Sequence, residues 1–511
     1  MSSAANGSMW TAVSYLIMER VDDLVYAELL AISFFFSILM RLVSNGLIRE
    51  LCGAFIGVAL VYYFTGWKLL YSLIAVIVNM LLITLVKSRY LPLYSFVITF
   101  VYLGILRMIH LVGLPSLVAH ANAVQLIMTL RLVGLSFEVE DSRRKDVIHY
   151  DPTRVRFIVE PTWWRMFLYA YNFPGLFTGP YYTYAMHRDV VDNNDVMEIS
   201  VWAELRWRLW NLAWALPGFI IVVYAFPLQM MREEQFFDES VFYRIYVSAL
   251  IFFWMRCRVY SAWMVAESIC VLNGIGVYPE SSCPRAGQGP TKIDHFRKEM
   301  NVPGTVYDSE AVRNLDIWAV EFAASFRGGM RAWNRSVQFW LANYVYKRVP
   351  RDFGMILTMT VSAYWHGVHP GYYLSFLTVP LCTLAEDQIL SIVPRDAKGN
   401  PPLLFSFFWY IVRQLGFTLM ASGFLLLTWQ DTIRYWDSVH FHVHWIMVTV
   451  IVFAWLYKTL LYASCDVPEK KRSHGNVKRN DDNHNPTENY EKVLYLLIQR
   501  RSFCIRPFIS Y

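Results

Sequence analysis

Apolar runs about as long as a membrane is thick recur down this chain, and no other feature restricts its fold so severely. They cover roughly Leu24–Leu47, Ala54–Val86, Leu91–Leu114, Trp164–Tyr182, Trp210–Met230, Phe242–Val265, Met355–Tyr373, Leu374–Val393, Leu404–Thr428 and Trp445–Leu461. A helix rising about 1.5 Å per residue needs about 20 apolar residues to cross hydrocarbon. The expectation is therefore an all-α polytopic integral membrane protein. The run from Ala54 is broken at Thr65–Lys68 and is expected to cross twice. Ala119–Leu135 and Ser336–Tyr346 are further buried or re-entrant candidates, making about 10–12 transmembrane or re-entrant helices by the length rule.

Composition excludes the alternatives. Of 511 residues, 56% are hydrophobic and only 17% charged, against about 25% charged in an average globular chain. A soluble core stops growing at around 250–300 residues, too small to hide this much apolar surface. Disorder is excluded by the same numbers. The seven cysteines are odd in number and scattered, unlike a disulfide scaffold or a zinc set. A balance of 46 Lys+Arg against 40 Asp+Glu gives +6, too mild for a nucleic-acid partner and suited to anionic lipid at a bilayer surface.

The first apolar stretch has no basic leader and no small-residue cleavage site, so it reads as a retained membrane segment. A basic loop (Arg143, Arg144, Lys145, Arg154, Arg156) and the polar tail from Asp466 to Glu491 are expected on the cytoplasmic side. The chain thus divides into an N-terminal segment (1–20), a helical membrane domain (21–465) and a C-terminal tail (466–511). No fixed-period repeat or inverted symmetry is visible, which argues against many transporter folds. The long polar interruption Tyr278–Asp316 is expected to lie on one membrane face and cap the bundle.

Standard hydrolase, protease and nucleotide motifs are missing. Ala286-Gly-Gln-Gly-Pro-Thr-Lys292 has the composition of a phosphate loop but the wrong spacing, and a Gly/Pro turn is the simpler reading. His440, His442 and His444 alternate without a carboxylate or Cys neighbour, so an amphipathic membrane edge is preferred to a metal site. No metal is implied. His366 differs from these, because it interrupts an apolar segment, and an ionisable side chain at membrane depth is costly enough to mark a functional cavity. The bland alternative is a neutral His bonded to a neighbouring helix. Asn334, in Trp333-Asn-Arg-Ser336, is a second polar exception, and the sequon it creates is useless if buried.

Spacing ties the two together. Asn334 and His366 each lie fourteen residues from the nearer edge of the expected reversal Arg348–Asp352, so two antiparallel helical arms would hold both about 21 Å from the turn. A neutral imidazole suits a general base. An Asn amide can hold a hydroxyl in line or bond a carbonyl or developing oxyanion. Together they suit acyl transfer to an alcohol, with a lipid alcohol and a long-chain acyl donor favoured by the membrane setting. A non-catalytic transporter using the pair as a polar relay is the rival reading. Trp333, Gln338, Ser362, Tyr364, Trp365 and Tyr373 are neighbours expected to line the chamber, and Arg331, Lys347, Arg348 and Arg351 are cations flanking the segment that bears Asn334.

These residues resemble the membrane-bound O-acyltransferase family, whose hallmark is a buried His in a helix preceded by an Asn-bearing segment. The pattern Ser362-Ala-x-Trp365-His366-Gly367-x-x-Pro370-Gly371-Tyr372-Tyr373 is similar to its lysophospholipid branch. Within that branch, Asn122–Leu126, Phe177–Tyr181, Arg285–Thr291, Arg313–Asp316, Gly329–Asn334 and Trp365–Cys382 resemble lysophosphatidylinositol acyltransferases. The resemblance covers residues 20–462. It implies that His366 deprotonates the sn-2 hydroxyl of a lysophospholipid while Asn334 positions the reacting groups. Acyl-CoA is then a co-substrate and no cofactor is required. It also implies a cytosolic tunnel for coenzyme A, a lateral opening for the lysolipid, a preference for polyunsaturated chains such as arachidonoyl, and residence in the endoplasmic reticulum membrane. The same chemistry on another head group, a sterol or a protein hydroxyl is the nearest alternative.

Overall fold

A computed structural model describes residues 20–113, 115, 117–144 and 156–465, with side chains to residue 460. Lys145, Arg154 and the polar tail lie outside the described residues. The architecture is all-α. In chain order the helices are α1 (Val21–Met40), α2 (Gly46–Thr65), α3 (Leu69–Leu85), α4 (Leu91–Arg107), α5 (Ala119–Arg143), α6 (Trp163–Tyr171), α7 (Tyr184–Val191), α8 (Trp202–Ala225) and α9 (Glu234–Asp238). They continue as α10 (Val241–Leu272), α11 (Ile293–Glu299), α12 (Ile317–Phe322), α13 (Phe326–Ala332), α14 (Arg335–Tyr344) and α15 (Arg351–His366). The last are α16 (Pro370–Leu390), α17 (Leu403–Leu426), α18 (Trp429–Ser438) and α19 (His442–Cys465). Among the described residues, six are long and apolar enough to cross a membrane when α2 and α3 are taken as one. The expected break falls between those two, as a 3-10 turn at Gly66–Lys68.

Burial separates a lipid-facing shell from a central post. Phe35, Ile38, Phe55, Tyr62 and Leu70 point outward from α1, α2 and α3, which lipid tolerates and water would not. By contrast α5 is buried almost continuously from Val124 to Asp141. It is the post against which α3, α4, α6 and α14 pack.

One expected span is not a helix. Trp164–Tyr182 forms the short α6 and then an irregular, buried segment through Tyr182, because Pro174 and the Gly179–Pro180 pair cannot continue a helix. Irregular backbone survives inside a membrane protein only where its polar groups are satisfied. Arg131 of α5, fully buried, supplies the donors: Nη1 reaches Tyr169 O, Ala170 O and Asn172 O at 3.2, 3.1 and 2.8 Å, and Nη2 reaches Pro174 O at 2.5 Å. The polar interruption 278–316 carries short helices and the only ladder among the described residues, Tyr278–Pro279 antiparallel to Tyr307–Asp308.

Candidate active site

His366 is the last residue of α15, and the chain leaves it through an extended Gly367. The final carbonyls of a helix lack intrahelical partners, and here a guanidinium from a different helix takes them: Arg107 donates to Tyr364 O through Nη1 and to Trp365 O through Nη2. The side chains of the same two residues are also tied down. Tyr364 Oη donates to Phe100 O at 3.1 Å, and Trp365 Nε1 donates to Leu126 O at 3.1 Å. His366 itself is gripped by rings rather than by a carboxylate. Phe376 stacks on it at 5.2 Å, while Phe424, Trp365 and Tyr372 stand at 5.1, 4.7 and 6.0 Å. Neither ring nitrogen has a hydrogen-bond partner among the described residues. The bland reading of a His bonded to a neighbouring helix is thereby set aside.

Asn334 occupies the N-cap position of α14 in the left-handed region (φ 49°, ψ 51°). That conformation is uncommon for a residue with a Cβ and is best tolerated by Asn. Its Oδ1 is buried and has no hydrogen-bond partner among the described residues. Such an atom costs about 1–3 kcal/mol unless something else fills the place. Gln338 holds the turn from behind by donating Nε2 to Met330 O and Trp333 O. Trp333 packs against Tyr260 and Trp263 at 6.0 and 5.5 Å.

The arms carrying the two residues meet on the central post. Trp340 Nε1 of α14 donates to Leu130 O at 3.0 Å, four residues along α5 from the Leu126 carbonyl that holds Trp365. That separation is about 6 Å of helix rise. The equal-arm expectation needs revision, since the Asn334 arm breaks at Val345 and continues as a 3-10 turn, Tyr346–Arg348, before Pro350 opens the next helix.

Depth follows from two independent rulers. Arg348 Nη2 pairs with Asp141 at 3.1 Å at the outer end of α5. From Leu126 to Asp141 is 141 − 126 = 15 residues, and from Arg351 to His366 is 366 − 351 = 15 residues. Each gives about 22 Å at 1.5 Å per residue. His366 therefore lies deep below a charged rim.

At that rim lies a cavity of about 780 Å³, lined by five cations, Arg89, Arg144, Arg156, Lys347 and Arg348. Its apolar wall includes Phe96, Phe137 and Phe339, and Leu357 and Val361 of α15. Leu357 and Val361 are one helical turn apart, and the next position on that face is Trp365, beside His366. Three acidic side chains, Glu138, Glu140 and Asp141, share the lining, so cations outnumber them. In the loop before α6, hydrogen bonds from Arg143 and then Lys87 hold Glu160 down to about 2 despite its partial burial, so that loop stays clamped as a charged unit.

Of the cations expected from sequence, Lys347 and Arg348 line this cavity, whereas Arg331 and Arg351 are exposed and do not. Arg89, Arg107 and Asn314 were missed. A lone charge at a helix end carries no periodic signal, and only the packing shows what it faces. Ser362 is buried in α15. Tyr373 lines a second apolar cavity of about 510 Å³ with Pro370, Trp429, Trp436 and His444. The Gly-rich loop 285–289 is no anion cradle, because its amides bond carbonyls: Arg285 N to Gly289 O, Gly287 N to Ala311 O, and Gly289 N to Arg285 O. No group of three His, Cys, Asp or Glu side chains converges among the described residues, and His442 Nδ1 instead contacts Val439 O at 3.1 Å.

An imidazole at the end of the helix whose Leu357 and Val361 line a cationic cavity, and an asparagine whose amide oxygen is buried and unbonded, thus stand in one helical membrane bundle. The membrane-bound O-acyltransferase family model matches residues 153–425. The chain belongs to the membrane-bound O-acyltransferase family. Among its relatives, the membrane-bound acylglycerophosphatidylinositol O-acyltransferase of Caenorhabditis elegans is 39% identical over 84% of this chain and 94% of its own length. The Xenopus laevis protein of the same description is 35% identical over 79% and 88%. The Homo sapiens one is 32% identical over 84% and 93%. Membership makes this a multi-pass membrane O-acyltransferase, and the family match takes in both Asn334 and His366.

Proposed function

We propose that the protein transfers an acyl chain from acyl-CoA to the sn-2 hydroxyl of lysophosphatidylinositol, with His366 and Asn334 as its catalytic pair. The observation that carries this reading is an imidazole with no hydrogen-bond partner among the described residues, at the inner end of the helix whose outer face lines the cationic cavity. The relatives' descriptions supply the substrate class, an acylglycerophosphatidylinositol.

In this reading the phosphates of coenzyme A sit at the rim by Arg89, Arg144, Lys347 and Arg348, where opposite charge is abundant. The pantetheine arm then follows the wall of Leu357 and Val361 inward and presents the thioester to His366. His366 takes the proton of the lysolipid hydroxyl as its oxygen forms a bond to the thioester carbon. The C–S bond then breaks, and the proton passes to the departing thiolate. Asn334, with its amide unspent on its own helix, bonds the hydroxyl or the developing oxyanion. Trp333, Gln338, Tyr364 and Trp365 shape and hold this chamber, while Ser362 and Tyr373 stand at its margins. A membrane of the endoplasmic reticulum and a polyunsaturated chain such as arachidonoyl complete the proposal, with the basic rim on the cytosolic face, as the excess of Lys and Arg there favours.

The test is competition. Purified protein offered an equimolar mixture of lysophosphatidylinositol, lysophosphatidylcholine, lysophosphatidylserine and lysophosphatidylethanolamine with arachidonoyl-CoA is expected to yield chiefly phosphatidylinositol by mass spectrometry. A dominant product with another head group would replace the substrate assignment, and no esterified product at all would refute the enzyme.

A further inference from the structure

An Asn at an N-cap ordinarily spends its side-chain oxygen on the second or third amide of its helix. Asn334 does not, since its left-handed backbone turns the side chain away and leaves Oδ1 unpartnered. The second amide, which it would serve, and the first amide beside it are both held from another segment. Arg335 N donates to Asn314 O at 2.9 Å, and Ser336 N donates to Asn314 Oδ1 at 3.3 Å. Ser336 Oγ donates to that same oxygen at 2.5 Å and accepts from Tyr181 N at 3.0 Å.

Asn314 is 2% exposed and rigidly placed. Its N–H donates to Glu267 Oε1 at 2.8 Å. Glu267, itself fully buried, accepts from Arg208 Nε at 3.0 Å. An ion pair inside the bundle thus anchors one asparagine, and that asparagine closes the helix that begins with another.

We infer that Asn314 is a positioning residue: by capping α14 in place of Asn334, it keeps the Asn334 amide oxygen free for the reacting groups. The inference rests on the catalytic role proposed for Asn334. Without the Asn314 side chain, Ser336 N becomes an orphaned buried donor, and the acceptor an ordinary N-cap offers to that amide is Asn334 Oδ1. Taking that role also lets Asn334 leave the left-handed region for the extended backbone of an ordinary N-cap. The helix would remain capped while the active-site amide was lost to it.

A double-mutant cycle tests this, using full-length purified protein with Asn314→Ala, Asn334→Ala and both together. The readouts are kcat, KM for each substrate, and the melting temperature in detergent. Asn314→Ala is expected to lower kcat by about 10–100-fold with both KM values nearly unchanged, the signature of a misplaced group rather than a lost binding site. In the Asn334→Ala background the same change is expected to shift kcat by less than about 2-fold, because residues acting through one another are not additive. A loss that adds in full to that of Asn334→Ala, or a wild-type kcat for Asn314→Ala, overturns the inference and leaves the proposed reaction standing. A wild-type kcat for Asn334→Ala refutes the catalytic role of Asn334 and the inference with it. Should Asn314→Ala fail to fold, Asn314→Asp keeps the acceptor oxygen and is expected to retain most of kcat, and a loss additive with Asn334→Ala contradicts the same claim.

Discussion

Gly104→Ala probes the seating of His366 without touching any group proposed to react. Gly104 lies in α4, and a Cβ there would overlap Tyr364 Oη, with Cζ only 3.0 Å away. Tyr364 precedes His366 by two residues, bonds Phe100 O at 3.1 Å and gives its carbonyl to Arg107. The ring cannot retreat without pulling the last turn of α15. Overpacking of this kind costs about 1–3 kcal/mol of stability, while a displacement of about 1 Å at a catalytic group can cost about 100-fold in rate. The expected outcome is a kcat about 10–100-fold lower with both KM values nearly unchanged. The paired variant Gly104→Ala/Tyr364→Phe removes the overlapping oxygen and leaves only the tight Cζ approach, so it should recover much of the rate. Tyr364→Phe alone loses one hydroxyl–carbonyl bond, worth about 1 kcal/mol. The assay is steady-state release of coenzyme A thiol with both substrates varied. Wild-type turnover in Gly104→Ala, or no recovery in the pair, would refute the claim that the α4–α15 contact fixes His366.

The remaining expectations probe other parts of the account. Arg89→Gln and Lys347→Gln should each raise KM for acyl-CoA by about 5-fold, as for the loss of roughly 1 kcal/mol of charge interaction. The difference from wild type should shrink in high salt. Trp365→Phe removes the indole bond to the Leu126 carbonyl, which keeps its own helical donor, and should cost about 1 kcal/mol of stability, read as a lower melting temperature in detergent. Asp308, in the polar segment outside the spans, is pushed up to about 6, by burial first and then by Glu310, Glu204 and Glu280. A carboxyl whose folded pKa is raised favours the folded state when protonated, so its penalty appears as pH rises from its unfolded range through about 6. Asp308→Asn should therefore raise the melting temperature at pH 7.5, with the gain fading toward pH 4.

Much of the membrane architecture was legible because lipid imposes a simple rule: a long apolar stretch becomes a helix. The rule succeeds at the Thr65–Lys68 break and misleads at Trp164–Tyr182. There the apolar residues belong to an irregular segment whose carbonyls are satisfied by Arg131, a residue some forty positions upstream. His366 and Asn334 stood out because each is a polar exception inside an apolar context. Their supports did not stand out. Arg107 sits at the end of α4 and looks like an interfacial cation, yet it closes α15 across the bundle. Asn314 lies in a polar stretch, and although Arg313–Asp316 is part of the family resemblance, its capping of α14 depends on a contact twenty-two residues away in sequence. Long-range hydrogen bonds of this kind leave no local trace.

The central claim is that this chain joins an acyl chain to lysophosphatidylinositol with His366 as the base. The most direct measurement is a single reaction of purified protein with lysophosphatidylinositol and arachidonoyl-CoA, following coenzyme A thiol and phosphatidylinositol together, for wild type and for His366→Gln at matched abundance and melting temperature. The account predicts one thiol released per phosphatidylinositol formed by wild type, and product at background for the variant. Esterification by His366→Gln at a rate near wild type would contradict it.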